Sequence, residues 1–372
     1  MKEKQYSNPF RAITYISPAK EMLKISFTRA KKPQIGRIPK KYTREQKIAL
    51  VEKKRVEVLG SELRSRLLKL VKQYPSIDEI HPFYQEICNL SGDTEKIKMS
   101  LGRLSGIVKQ MSLIEREILR ELGKSKHPQE MEKLRRAAGG RFSSLLKAAK
   151  NDIKFLDRIA KKMRKIPDFD VRFPTIVIAG APNVGKSSLV RRISTGTPEI
   201  GEYPFTTKQI IFGHRDIFFT KAQVVDTPGI LDRPFDERNI IEKHSITTIK
   251  HISDIIVFMF DTTKDAELSL EEQMNLAEDI KKEFKDIILI RVLNKIDLLE
   301  EKEISLLKMK LNTDYELSTM REETLVAFKK VLDELLIKLV KSNKKFESEY
   351  KIEIAKEYEE VEEDLDNYDY EL

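Results

Sequence analysis

The chain has 372 residues, a single cysteine, 35% charged residues and a formal net charge of +9. One cysteine, Cys88, excludes an intramolecular disulfide framework and suits a reducing compartment. No stretch approaches the ~18 apolar residues of a membrane span, and Met1-Lys-Glu-Lys-Gln-Tyr-Ser7 lacks the apolar core of a signal peptide, so a soluble cytoplasmic protein of two or three domains, without a membrane partner, is expected.

Charge is segregated along the chain. Residues 1–168 carry 40 Lys+Arg against 19 Asp+Glu, a net of +21, residues 169–346 a net of −2, and residues 347–372 a net of −10. An excess on that scale points to a polyanionic partner such as nucleic acid, the alternative being basic side chains that only solvate helix faces.

The first 168 residues read as a basic, all-α domain. Residues 1–16 carry no clear period. Ser17 is placed to cap a helix with Pro18 at its first position. Residues 31–41 form a basic loop broken by Pro33 and Pro39, and Thr43–Gln46 and Ser76–Glu79 have capping-box spacing. From Thr94, apolar residues at Ile97, Leu101, Leu104, Val108, Met111, Ile114, Ile118 and Leu122 lie on one face of a long amphipathic helix. A second stripe runs from Met131 to Met163, with a kink expected at Gly139-Gly140 because each glycine costs ~1 kcal/mol of helix propensity. Helices of this length pack as a bundle.

After Pro167 short apolar runs alternate with helical stretches. Strands are predicted at 175–179, 222–225, 254–260 and 287–293, and helices near 187–194, 239–250, 269–284 and 321–341. This alternation indicates an α/β domain over 169–342 with a mostly parallel sheet. Residues 343–372 read as an acidic tail that begins as a short helix.

The chemistry lies in the α/β part. Gly180-Ala-Pro-Asn-Val-Gly-Lys-Ser187 matches G-x-x-x-x-G-K-[ST], after an apolar strand and before a helical stretch, which is the order that wraps backbone N–H groups around phosphate at a helix N-terminus. Gly180, Asn183, Val184, Gly185, Lys186, Ser187 and Ser188 are the candidate phosphate-binding residues; Lys186 reaches the β- and γ-phosphates and Ser187 ligates Mg2+. Asp226 in Asp226-Thr-Pro-Gly229 orders the Mg2+ shell through water, and the Gly229 N–H senses the γ-phosphate. Asn294-Lys-Ile-Asp297 selects the base: the Asp297 carboxylate accepts from guanine N1–H and N2–H2, a donor pair that adenine lacks. Asn294 contacts N7 and the Lys295 stem packs on the base, while Ser318-Thr319 offers a backbone N–H to guanine O6. In the candidate first switch, Thr206 or Thr207 ligates Mg2+. The five histidines show no metal-ligand spacing.

Taken with Tyr203-Pro-Phe-Thr-Thr-Lys208, Val224-Val-Asp-Thr-Pro-Gly-Ile-Leu-Asp232, Asn8-Pro-Phe10, Ile80-His-Pro-Phe-Tyr84 and Lys133-Leu-Arg-Arg-Ala-Ala138, these motifs resemble the Obg-related GTPases. Within them the chain is similar to the Nog branch, the nucleolar GTP-binding proteins and their archaeal counterparts, over roughly residues 8–342. The resemblance implies a P-loop GTPase domain after an all-α helical bundle, GTP and GDP as ligands, Thr207 as the Mg2+ ligand, and a role in assembly of the large ribosomal subunit. The partners it implies are the subunit precursor, its rRNA and its ribosomal proteins. The nucleolar members carry a further long region after the GTPase domain, and the shorter chain here suggests a prokaryotic, archaeal-type version working in the cytoplasm.

Ile230 stands where many small GTPases place a water-orienting Gln, so intrinsic hydrolysis is expected to be slow, with Lys186, Thr207 and Gly229 as the catalytic set and an unknown partner stimulating it. Asn183 either offers a K+ site between the phosphates, as in related Asn-bearing GTPases, or braces the loop. Two other functions fit the same sequence: a non-switching RNA-binding assembly factor with a structural nucleotide, and a signalling GTPase whose helical domain binds protein.

Overall fold

The computed structural model describes residues 8–39, 41–90, 94–166, 169–202, 209–217, 220–226, 231–232 and 246–342. They form two compact units: Pro9–Ile80 with Gly92–Arg164, and the remainder, which takes in His81–Ser91 and Lys165 onward. The helices in chain order are α1 (Ala19–Lys31), α2 (Arg44–Gln73), α3 (Pro82–Leu90), α4 (Thr94–Lys124), α5 (Pro128–Ala148) and α6 (Lys150–Met163). All but α3 belong to the first unit.

In the helical unit α2 packs against α1, α4 and α5. Its Val56, Leu59, Leu63, Leu67 and Leu70 are buried, as is the expected α4 stripe from Ile97 to Leu122 except Leu101, which is half-buried. The Thr43–Gln46 capping box forms, with Thr43 Oγ1 accepting from the Gln46 N–H and Gln46 Oε1 from the Thr43 N–H. Phe10, Ile13 and Ile16, in a segment without apparent period, are buried.

Three local expectations are corrected. Pro18 occupies the cap position itself, with ψ at 150°, and its carbonyl accepts from the Met22 N–H; Ser17, one residue earlier, makes no cap. Ser76–Glu79 closes a turn through Glu79 N–H to the Ser76 carbonyl (3.0 Å). His81 is biased away from helical backbone by Pro82, so a helix starts afresh at α3. Finally, α5 runs unbroken through Gly139-Gly140, and the chain breaks instead at Ala149. Glycine stands at 139 because a Cβ there would lie 3.2 Å from the Phe27 ring of α1; at 140 the same position is open.

The second unit is a seven-stranded sheet of β1 (Thr175–Gly180), β2 (Glu199–Glu202), β3 (Gln209–Ile217), β4 (Thr220–Asp226), β5 (Ile255–Phe260), β6 (Ile288–Leu293) and β7 (Tyr315–Glu316), in the order β2-β3-β4-β1-β5-β6-β7. Strands β4, β1, β5, β6 and β7 are parallel, and β2 and β3 add an antiparallel edge. The helices of this part are α7 (Lys186–Ile193), α8 (Leu270–Glu283), α9 (Glu301–Leu311) and α10 (Glu322–Ser342). Of the helix expected at 239–250, residues 246–250 are helical and the rest lies outside the described residues, as does the tail from 343. Strands β1 and β5 are buried along their whole length, as central parallel strands must be. The chain leaves β1, builds the β2–β4 side, then crosses β1 to start β5, so strand order reverses at β1, where open α/β sheets bind ligands at their carboxyl ends.

Helix α3 packs by aromatic contacts within this second unit. Phe83 meets Phe169 edge-on at 4.9 Å, Phe169 meets Phe212 of β3 at 4.8 Å, and Tyr84 donates to the Phe169 carbonyl.

The two glycines of α5 give opposite expectations. Gly140→Ala raises the stability of the helical unit by up to about 1 kcal/mol, whereas Gly139→Val lowers it by about 1–3 kcal/mol through overpacking against Phe27. Chemical denaturation followed by circular dichroism distinguishes them.

Candidate functional site

The carboxyl ends of β1, β4, β5 and β6 each deliver a polar residue to one edge of the sheet. At the end of β1, Gly180 has φ 136°, and a Cβ on it would sit 2.5 Å from the Met259 carbonyl oxygen of β5. Gly185 has φ 103° and caps α7 without any side-chain hydrogen bond. The first N–H groups of α7 are therefore available to a ligand in the manner of an anion site. Lys186 is 7% exposed, and its Nζ donates to the Gly180 carbonyl (2.8 Å) and the Ala181 carbonyl (2.6 Å). The ammonium is folded back across the loop, and burial pushes its pKa down.

Ser187 donates its hydroxyl to Asp226 Oδ2, which brings the last residue of β4 to the first turn of α7. Asp226 is fully buried and its Oδ1 has no hydrogen-bond partner among the described residues. Burial pushes the Asp226 pKa up, against the opposing effects of the Ser187 hydroxyl and the Lys186 ammonium. Val184 is buried and Ser188 is exposed on α7.

The Asn294–Asp297 loop is joined to the Gly180–Ser187 loop. Asn294, just after β6, donates from Nδ2 to the Val184 carbonyl at 2.7 Å, and a Cβ on Gly185 would lie 2.5 Å from that same Nδ2. Its Oδ1 is buried and unpartnered. Lys295 adopts φ 60°, a left-handed conformation rare for a long side chain and characteristic of functional strain. Asp297 follows in a short 3-10 turn and is half-buried. The Ile296 N–H donates to the Leu317 carbonyl, which ties this turn to the Ser318-Thr319 loop. There Ser318 is fully buried with its N–H engaged by Thr324 Oγ1 (3.1 Å), and Thr319 is half-buried. Thr207, Gly229, Ile230 and the alternative switch residue Thr206 lie outside the described residues.

The sequence motifs did not reveal the loop after β5. Asp261 is buried at the end of that strand and pairs with Lys295 Nζ. It is held by Gln273, whose Oε1 accepts from the Asp261 N–H (2.9 Å) and whose Nε2 donates to the Asp261 carbonyl (2.7 Å). Further along the same loop, Glu267 accepts from Asn183 Nδ2. Asn183 itself has φ 58°. The available signal was positional: an Asp closing an apolar strand in an α/β sheet lies on the ligand side.

The buried oxygens of Asp226 and Asn294, the open α7 N-terminus and the folded-back Lys186 thus meet along one edge of the sheet. Among the described residues, no helix is long and apolar enough to cross a membrane.

Comparison with known proteins agrees with this geometry. Residues 10–170 match the NOG1 N-terminal helical domain and residues 175–295 match a 50S ribosome-binding GTPase. A nucleolar GTP-binding protein 1 from Drosophila melanogaster is 31% identical over 295 residues, spanning 79% of this chain and 45% of that protein. One from Encephalitozoon cuniculi is 32% identical over 352 residues, spanning 92% and 65%. An uncharacterized protein from Methanocaldococcus jannaschii is 33% identical over 298 residues, spanning 80% and 83%. The chain thus spans about half the length of the Drosophila relative.

Asp226 generates a prediction on stability. Its folded pKa is raised, so its favourable contribution is complete below the ordinary Asp range and is lost as pH rises through the folded value. Asp226→Asn should therefore raise the unfolding free energy of the nucleotide-free protein at pH 7 by on the order of 1 kcal/mol, seen as a higher thermal midpoint, and leave both little changed at pH 4. A lowered midpoint at pH 7 contradicts the assignment.

Proposed function

We propose that this chain, which belongs to the NOG1 family of GTP-binding proteins, is a GTP-operated switch that docks on large-subunit ribosomal precursors through its basic helical unit. The observation that carries the proposal is the union, in one chain, of the cradle at Gly180–Ser187 with a helical region of net +21. The names of the relatives, nucleolar and 50S ribosome-binding, support the ribosomal setting.

In the GTP state, Lys186 exchanges the Gly180 and Ala181 carbonyls for β- and γ-phosphate oxygens, and Ser187 turns its hydroxyl from Asp226 toward the cation. Ser187 and Thr207, with Asp226 acting through water, would hold Mg2+, which would supply charge neutralisation at the phosphates. Asp297 takes the guanine N1–H and N2–H2 pair, Asn294 the N7 edge, and the Ser318-Thr319 loop O6. Lys295 is held by Asp261 with its stem along the base. The Gly229 N–H reports the γ-phosphate to the segments around 197–209 and 226–245.

Hydrolysis of GTP to GDP and phosphate is slow in this proposal, because Ile230 has no polar group to orient water. A partner charge adds ~10³ to 10⁵ in rate. Asn183 contributes a second element: with its Nδ2 given to Glu267, its Oδ1 is left for a monovalent cation between the phosphates.

Sedimentation with large-subunit precursors tests the switch. Co-sedimentation is expected to be stronger with a non-hydrolysable GTP analogue than with GDP, and to weaken steeply with salt as phosphate contacts require. Equal binding in both nucleotide states leaves an RNA-binding factor with a structural nucleotide. Absence of co-sedimentation in either state removes the ribosomal assignment and leaves guanine-nucleotide binding intact. For Asn183, turnover is expected to be faster in KCl than in NaCl at equal ionic strength, and equal turnover assigns the side chain to bracing alone.

A further inference from the structure

The helical unit contains a cavity of about 510 Å³ where α1, α2 and α5 meet. Its lining holds four cations, Lys31, Arg55, Arg135 and Arg136, and no carboxylate. Arg135, Arg136, Gly139, Gly140 and Ser143 share one face of α5, and the half-buried Phe27 of α1 supplies an aromatic wall.

The guanidinium groups are held from outside the lining. The buried Glu52 accepts from Arg55 Nη1 at 2.7 Å and pairs with Arg135 Nε at 2.5 Å. Glu132 accepts from Arg136 Nη2 at 2.7 Å. Lys31 forms no ion pair among the described residues. Two carboxylates thus serve four cations, and the cavity keeps a surplus of positive charge. A network that only joined α2 to α5 would need no second guanidinium on Glu52. Each guanidinium carries five N–H donors in a fixed fork, so these pairs set its orientation and leave donors for a ligand.

Gly140 marks where that ligand passes. Gly139 is required by the Phe27 ring, but Gly140 is exposed, and a Cβ on it would meet no atom within 4 Å. Glycine inside a helix is destabilising relative to alanine, and no described neighbour requires it at 140. What glycine does permit is the close approach of another chain to the helix backbone. Surrounded by cations, that chain is a polyanion. A cavity of this size takes a nucleotide rather than a bare phosphate, and Phe27 gives a base a face to lie against.

We infer that this cavity seats an unpaired nucleotide of an RNA strand. Its phosphate lies on Arg55, Arg135, Arg136 and Lys31, its backbone crosses Gly140, and its base rests on Phe27. A paired nucleotide keeps its base stacked inside the duplex and cannot reach Phe27. The choice of RNA as the polyanion rests on the ribosomal docking proposed above.

Fluorescence anisotropy of the full chain with a short labelled single-stranded RNA, and with a duplex of the same length, tests the site. The single strand should bind more tightly. Gly140→Leu fills the open position with a good helix former, so it should weaken that binding about tenfold without lowering the thermal midpoint. Arg136→Gln, at an exposed position, should reduce the slope of log affinity against log salt by about one. Lys109→Gln, exposed on α4 and outside the lining, should leave that slope unchanged. Equal or tighter binding of the duplex, full affinity in Gly140→Leu, or the same fall in slope for Lys109→Gln each overturns the inference. So does failure of the unsubstituted chain to bind either probe. Co-sedimentation with ribosomal precursors reads the docking independently, so any of these failures leaves the ribosomal docking standing.

Discussion

The amide of Asn294 is the contact on which the candidate site depends. Its Nδ2 reaches the Val184 carbonyl inside the phosphate loop, and it does so only because residue 185 has no Cβ. One hydrogen bond thereby couples the end of β6 to the turn between β1 and α7, and the Asn294–Asp297 loop takes its position from the Gly180–Ser187 loop. Asp261, through Lys295, fastens the same loop from the β5 side, and Glu267 fastens Asn183. The turn after β1 and the ends of the neighbouring strands β5 and β6 are thus joined side chain by side chain at one edge of the sheet.

That edge is built around charges the protein alone cannot satisfy. Lys186 and Asp226 are both buried, and burial drives both toward their neutral forms. Each makes a substitute contact, Lys186 with two backbone carbonyls and Asp226 with a hydroxyl. These contacts are weaker than charge-assisted bonds to phosphate or cation would be. Among the described residues, Lys186 and Asp226 thus form hydrogen bonds to neutral groups alone.

What was legible in the sequence was whatever depends on local geometry. The phosphate loop, the strands β1, β4, β5 and β6, the Thr43 cap and the α4 stripe each follow from spacing within a few residues. The antiparallel strands β2 and β3 were missed because Glu199–Glu202 is polar and β3 lacks a long apolar run; α9 was missed because only Leu311 of it is buried. Gly139-Gly140 was misread for a related reason: propensity favours a kink, but the glycine at 139 is a packing choice made by Phe27, more than a hundred residues away in sequence. Asp261, Gln273 and Glu267 carry no motif and become visible only when β5 and β6 lie side by side. Membership of α3 in the second unit was hidden likewise, since it is decided by Phe169 and Phe212, far from Phe83 in sequence.

The basic character of the helical unit is not distributed evenly either. Arg29, Arg55, Arg64, Arg135 and Arg141 are each matched to a carboxylate, so much of the arginine is spent on contacts within the unit. The more exposed pairs, Arg29–Glu62 and Arg141–Glu117, contribute little to stability, roughly 0–1 kcal/mol each, whereas Arg55 and Arg135 meet the buried Glu52; all of them cancel charge locally. Lys147, Lys150 and Lys154 of α5 and α6 form no such pair among the described residues, and all three are exposed. The net +21 is therefore presented outward mainly where lysines stand unpaired, as flexible point charges.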